Sequence, residues 1–130
     1  MVNSLNYKNL ILAAKKAREK AYAPYSRFRV GAAALTSSGK IFTGCNVENA
    51  SYGLAICAER VAVSKAISEG EKKITAVAVF AGKGVRVSPC GACRQFICEF
   101  GPDINVVTIS PAGKITAEKI SSLLPGAFKL

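Results

Sequence analysis

The sequence contains no histidine and no tryptophan, one methionine, and only eight Asp and Glu against eighteen Lys and Arg. Without histidine, imidazole is unavailable as base, nucleophile or metal ligand. A Ser-His-Asp triad and a Cys-His protease are both excluded. Hydrolytic chemistry in this chain must run on carboxylates, thiolates or a metal. Long apolar runs are missing too. The uncharged stretches are too short and too interrupted for the roughly 20 residues that a bilayer span needs. The first residues, Met1 to Asn9, are polar and lack a basic-then-apolar secretory pattern. These absences predict a soluble, cytoplasmic protein with no membrane partner.

What is present fits one globular domain, residues 1–130. Half of the residues are apolar and 20% are charged, which is enough to bury a core without disulfides. Five cysteines is an odd number, and nothing points to secretion, so a disulfide framework is not expected. The formal net charge is +10, which invites a nucleic-acid reading. The distribution argues against it. No basic run exceeds two residues (Lys15-Lys16, Lys72-Lys73), and no basic-aromatic module repeats among the six Phe and four Tyr. The excess charge reads as a solvated basic surface, with no specific nucleic-acid partner.

Leu10, Ile11, Ala14, Ala17 and Ala21 recur at helical spacing and predict a first helix over about Leu5 to Ala21. Phe28 to Thr36 and Ile41 to Cys45 read as a strand hairpin around Ser37-Ser38-Gly39-Lys40. Phe28 alternates with Val30 and Ala32, so core packing is its default reading. Ile56 to Glu69 reads as a helix stopped by Gly70. Lys73 to Ala81 is a buried strand, Cys90 to Phe100 a helix, and Ile104 to Ser110 a strand. A last helix is expected over roughly Ala117 to Leu124. Interleaved strands and helices predict a layered α/β domain, and the leading hairpin makes its sheet mixed.

Three cysteines form a pattern. Cys57-Ala58-Glu59 opens one predicted helix, and Pro89-Cys90-Gly91-Ala92-Cys93 opens another. Cys90 and Cys93 share a helical face. Free N–H groups at helix starts favour thiolates, the form zinc binds. Two helix starts aimed at one spot would bring three sulfurs to one ion and leave a fourth tetrahedral position open, the arrangement of catalytic zinc. A closed site would need Cys45 or Cys98, and these read instead as small buried hydrophobes. Core thiols or a structural four-cysteine site remain the plainer alternatives. Glu59 lies about 200° around an ideal helix from Cys57, so the two serve one site only if it faces the helix end. There Glu59 is the nearest proton acceptor; otherwise it is a carboxylate that favours a helix start. Zinc with three thiolates carries a net −1. Arg60, next in sequence, can donate hydrogen bonds to the sulfurs and draw off part of that charge. Arg94 can play a similar part. Either is otherwise a solvated arginine.

C-x-E followed by P-C-x-x-C resembles the zinc nucleoside and nucleobase deaminases. The match extends over nearly the whole chain. It includes Tyr25-Ser26-Arg27-Phe28-Arg29-Val30-Gly31-Ala32, the run from Gly44 to Gly53, Cys57-Ala58-Glu59-Arg60, Pro89 to Gln95, and Leu124-Pro125-Gly126-Ala127-Phe128. It is nearest to the small, all-cysteine cytidine deaminases. That resemblance implies a three-layer α/β/α sandwich around a mixed five-stranded sheet. It implies one zinc ion per chain on Cys57, Cys90 and Cys93, with Glu59 as catalytic acid and base. It also implies hydrolytic deamination of cytidine and 2′-deoxycytidine to uridine, 2′-deoxyuridine and ammonia in pyrimidine salvage. Water attacks C4 of the pyrimidine while Glu59 shuttles its proton to N3 and then to the leaving ammonia.

The same resemblance gives Asn46 and Glu48, two apart and so facing one way in extended chain, the task of holding the ribose. It sets Phe28 against the pyrimidine, counts Ala58 among the substrate contacts, and assigns Arg60 to the sulfurs. Tyr52 and Phe128 match positions that reach into a neighbouring subunit's site, which implies a homotetramer with shared sites. Blasticidin-type deaminases are similar in length and zinc motif but lack the Asn46-Val47-Glu48-Asn49 run, which favours a plain nucleoside here. Editing relatives commonly begin the motif with histidine, which this chain does not have. A structural zinc module that binds nucleic acid is the rival of another class, and it would show steep salt dependence.

Overall fold

The computed structural model describes residues 4–130; the first three residues of the N-terminal stretch read above lie outside it. The chain order is α1 (Ser4–Arg18), β1 (Gly31–Thr36), β2 (Ile41–Cys45), a 3-10 turn (Tyr52–Leu54), α2 (Ala58–Ser68), β3 (Ile74–Phe80), α3 (Gly91–Cys98), β4 (Asn105–Ile109), β5 (Ile115–Lys119) and α4 (Ile120–Leu123). The strands form one five-stranded sheet in the order β2-β1-β3-β4-β5. Only β3 and β4 pair in parallel, joined by the crossover that contains α3. The other neighbours are antiparallel.

Period-two alternation divides the sheet's side chains between two cores. Ala32, Ala34, Val77, Val79 and Val106 face α2, α3 and α4, where they meet Ala58, Ala62, Val63, Ala66, Ile97 and Ile120. Ala33, Ala76, Ala78, Phe80 and Val107 face α1, where they meet Tyr7, Leu10, Ile11 and Ala14. These two layers of helix on one sheet are the expected three-layer sandwich.

Small residues set how closely the layers approach. A Cβ added at Gly31 would fall 1.9 Å from the Ala14 carbonyl, so α1 lies directly on β1. One added at Gly44 would fall 2.5 Å from the Ala62 nitrogen and 2.7 Å from the Ala58 carbonyl, so α2 lies directly on β2. The alanine-rich faces of β1 and β3 serve the same end. The start of α2, with Cys57 just before it, is therefore held at a fixed height over the sheet.

Three expectations need correction. The strand expected from Phe28 begins at Gly31. Cys45, the last residue of β2, pairs with Gly31. Beyond it the Asn46 side chain replaces a ladder, accepting from the Val30 N–H at 2.8 Å and donating to the Phe28 carbonyl at 2.8 Å. Phe28 therefore shares no strand face with Val30: its side chain is 47% exposed while Val30 is buried.

The helix expected from Ala117 is a strand in its first half. Ile115 to Lys119 returns against β4 through a turn in which the Ser110 N–H donates to the Lys114 carbonyl, with Thr108 and Thr116 hydroxyls 3.0 Å apart across the hairpin. Pairing at the sheet edge overrides the helix preference of Ala117-Glu118-Lys119. The helices read as beginning at Ile56 and Cys90 begin later, at Ala58 and Gly91. Ile56 forms an isolated bridge with Val47, and both cysteines occupy the N-cap position.

Candidate functional site

Cys57 caps α2, Cys90 caps α3, and Cys93 lies in the first turn of α3. Their sulfurs all lie within 4.8 Å of one another, with Cys57 and Cys90 3.9 Å apart. Tetrahedral zinc at about 2.3 Å from each sulfur needs them roughly 3.8 Å apart, so the cluster fits that ion with little closure. Among the described residues this is the only group of three His, Cys, Asp or Glu that could hold a metal. Cys93 is buried, Cys57 is half-buried and Cys90 is exposed, which leaves one side of the cluster open. Cys98 packs into the core beneath α3, and Cys45 ends β2. Neither joins the cluster.

The environment of the sulfurs favours an anion. Neither Cys57 nor Cys90 makes a side-chain cap, so the first-turn N–H groups are left to face the cluster. The Cys57 thiol is lowered to about 5, first by a hydrogen bond from Cys93 and then by Arg60 and Cys90, against the cost of burial. Cys93 is pushed up by that same sharing, by burial and by Glu59. The cluster thus favours a thiolate at Cys57, the form a cation would bind. Arg60 points its Nη2 at the Cys57 sulfur, 3.7 Å away, and at the Ala55 carbonyl, 3.4 Å away. Its buried Nε has no partner.

Glu59 is the second residue of α2 and only 4% exposed. Burial raises its carboxyl above the ordinary range, and the Cys57 charge adds to that. A buried carboxyl beside a thiol cluster, poised toward neutrality, is equipped to take a proton and give it back. Glu59 lies in the first turn of α2, within interaction range of Cys57 and Cys93.

A cavity of about 310 Å³ is lined by Tyr25, Ser26, Glu48, Asn49, Tyr52 and Ala55. That is near the lower limit of small-molecule pockets. Glu48 accepts from the backbone N–H groups of Tyr25 at 3.0 Å and Ser26 at 3.1 Å, and from the Ser26 hydroxyl. The Ser26 hydroxyl, and after it those N–H groups, hold the Glu48 carboxyl below its usual range. Ala55 joins cavity and cluster, since its carbonyl receives Arg60.

Of the residues expected at the substrate, Glu48 and Tyr52 line this cavity. Asn46 bonds the same segment, its Oδ1 accepting from the Val30 N–H and its Nδ2 donating to the Phe28 carbonyl, which leaves one amide hydrogen for a ligand. Ala58 is fully buried behind the cluster. Phe28, Tyr52 and Phe128 are 47%, 79% and 69% exposed, so their rings stand largely in solvent. Tyr52 meets Tyr25 edge-on, with ring centroids 6.2 Å apart. The tail that carries Phe128 is tied to α3 by Gln95, whose amide donates to the Phe128 carbonyl at 3.0 Å.

Sequence reasoning did not single out Ser26 as a site residue. Its signal is the stretch Tyr25-Ser26-Arg27, a reversal that puts Arg27 at φ 59°. Arg94 does not approach a sulfur; its guanidinium bonds only Pro89, Ser88 and Leu123.

Residues 5–109 match the cytidine and deoxycytidylate deaminase zinc-binding region. A probable cytidine deaminase of Dictyostelium discoideum is 50% identical over 128 residues, covering 98% of this chain and 86% of that protein. The cytidine deaminase of Halalkalibacterium halodurans is 52% identical over 120 residues, covering 92% and 91%. Among solved structures, cytidine deaminase from Burkholderia pseudomallei superposes with a TM-score of 0.87 at 51% identity, covering 93% of this chain and 98% of that one. The enzyme from Mycobacterium tuberculosis gives 0.83 at 42% identity, covering 95% and 98%.

Proposed function

The chain belongs to the family of zinc-dependent cytidine and deoxycytidylate deaminases, and on that premise we propose that it hydrolyses cytidine and 2′-deoxycytidine to uridine, 2′-deoxyuridine and ammonia. The observation that carries this reading is the open cluster of three sulfurs beside the buried Glu59. A structural zinc site would be closed by a fourth protein ligand.

Cys57, Cys90 and Cys93 would hold one zinc ion. When bound, that ion supplies Lewis acidity that makes water a nucleophile at neutral pH. Glu59 takes a proton from the attacking water and delivers it to N3 of the pyrimidine, so that C4 can accept the oxygen. It then passes the second proton to the amino group, the C4–N bond breaks, and ammonia leaves. Burial suits Glu59 to this alternation, because its two protonation states lie closer in energy than those of a solvated carboxylate. Arg60 donates to the Cys57 sulfur and offsets part of the charge of three thiolates.

The ribose is read by Glu48 and Asn46. Glu48 is kept ionised by Ser26 and Tyr25, and it is therefore an acceptor for sugar hydroxyls. Asn46 fixes the segment that presents Phe28, and Phe28 offers a π-face for the base. A site built on such acceptors rejects free cytosine, which leaves them unpaired.

The exposed rings of Tyr52 and Phe128 support assembly into a homotetramer in which neighbours complete each cavity. Both cores share one sheet, which supports a single domain over 1–130. Among the described residues no helix is long and apolar enough to cross a membrane.

Purified, zinc-analysed protein incubated with cytidine is expected to release uridine and ammonia in equal amounts. A folded, zinc-loaded sample without turnover overturns the assignment of cytidine.

A further inference from the structure

We propose that Arg94 is a positioning residue that fixes the backbone of Cys90, and with it the most exposed limb of the metal centre. The proposal rests on the three-sulfur reading above and deepens it.

Arg94 brackets Cys90 from both sides. Its backbone N–H donates to the Cys90 carbonyl at 2.9 Å, which orients the peptide after the Cys90 Cα. Its Nε donates to the Pro89 carbonyl at 2.8 Å, which orients the peptide before it. The first is the ordinary helix bond of residue 94 and the second belongs to the arginine side chain; together they restrain Cys90 at its φ of −68° and ψ of 168°. The direction of the Cα–Cβ bond follows from those angles, which leaves only the χ1 rotamer to place the sulfur. Two further bonds anchor the guanidinium. Nη2 donates to the Ser88 hydroxyl at 2.9 Å, and Nη1 donates to the Leu123 carbonyl at 2.8 Å, in α4.

The three sulfur limbs need different support. Cys93 is fully buried and is held by packing. Cys57 is half-buried and has Arg60 beside it. Cys90 is exposed, and the residues after it, Gly91 and Ala92, are exposed and offer no packing. Before it, Pro89 is fully buried, so the Cys90 limb is held by that packing on one side and by hydrogen bonds to its flanking peptides.

The donor is specific to arginine. Three separate acceptors lie around one planar fork, and Arg94 is not in an ion pair among the described residues. A lysine ammonium is a point charge and cannot span them. The two arginines thus divide the work. Arg60 touches a sulfur, whereas Arg94 touches only the backbone and a hydroxyl.

The test is zinc release to a chromogenic chelator, together with the thiolate-to-cobalt charge-transfer bands of cobalt-substituted protein. Neither depends on the identity of the substrate. Arg94→Gln is expected to release zinc about ten- to a hundredfold faster than the native protein, the usual effect of removing a group that orients a metal ligand. Its cobalt bands should shift, and Arg94→Lys should recover part of the loss. Ile97→Val, in the same helix but away from the Pro89 loop, reports simple loss of helix stability and should keep the native release rate and bands. Native release and native bands in Arg94→Gln overturn the proposal. So does equally fast release from Ile97→Val. If Arg94→Gln does not fold, Arg94→Lys carries the test, with release faster than native expected and native release overturning it. Native protein that takes up no zinc would instead sink the metal centre itself.

Discussion

Ser26 grips Glu48 twice, once through its backbone N–H and once through its hydroxyl, across 22 positions of sequence. The carboxyl responds by staying ionised below the ordinary glutamate value of 4.5, with the Ser26 hydroxyl as the largest cause. A lowered carboxyl contributes its interaction above the unfolded value and loses it as pH falls through the folded one. The loop at 25–30 should therefore be held by Glu48 at pH 4.5 and above, and released only as pH falls through the lowered folded value. In Ser26→Ala, the Glu48 carboxyl should titrate higher, toward 4.5. The ¹³C shift of its Cδ against pH measures this, and an unmoved midpoint would show that Ser26 is not the cause.

Glu59→Gln keeps the shape of the buried side chain and removes its proton traffic. Zinc content and melting temperature should remain close to native. Turnover of cytidine should fall by about 10²–10⁴, the usual share of a general acid–base group. Steady-state kcat on metal-analysed protein decides it, and near-native kcat would remove Glu59 from the chemistry.

The cysteines divide into two sets. Cys57→Ala, Cys90→Ala and Cys93→Ala should each abolish stoichiometric zinc. Cys45→Ala and Cys98→Ala should retain it, since neither sulfur belongs to the cluster. Metal analysis after gel filtration reads the result directly. Full zinc in any of the first three would dissolve the three-thiolate site.

Phe128 is 69% exposed although its tail is pinned to α3 by Gln95. A second copy that covers it would gain roughly 1.5–3 kcal/mol from the ring. Phe128→Ala should therefore weaken assembly, raising the protein concentration at which tetramers dissociate. Sedimentation velocity across a dilution series shows the shift. An identical dissociation profile for native and variant protein would leave Phe128 outside the interface.

Cys57, Glu59, Cys90 and Cys93 could be read from sequence because their chemistry is tied to spacing within single helix starts. Arg60 followed because it is adjacent. Glu48 was legible as one of a pair, but its partner Ser26 was not, since that contact closes over a long loop. Asn46 shows the opposite failure. Its type suggests a ligand contact, whereas much of its amide serves as a substitute ladder for Phe28 and Val30. Phe28 was legible as exceptional only through resemblance, because alternation alone put it in the core. β5 was read as helix because Ala117-Glu118-Lys119 prefers helix locally, and the opposing preference comes from β4, which no local pattern reveals. For Arg94 the sequence offers a part at the sulfurs only by analogy with Arg60 and leaves its role open. Its actual acceptors belong to Ser88, Pro89 and Leu123, and the last lies 29 positions away.

Both helices that deliver sulfur begin without a side-chain cap, because the N-cap residue is a cysteine in each. A serine or aspartate there would contribute about 1 kcal/mol to each helix. The chain forgoes that stability at the two places where its chemistry is set. The first turns of α2 and α3 should then open more readily than the later turns of the same helices. Amide exchange at Glu59, Arg60 and Ala92 would outpace exchange in β1 and β3 whenever the sulfurs have no cation to share. Local order at the site is thus conditional on occupancy, while the scaffold beneath it is not.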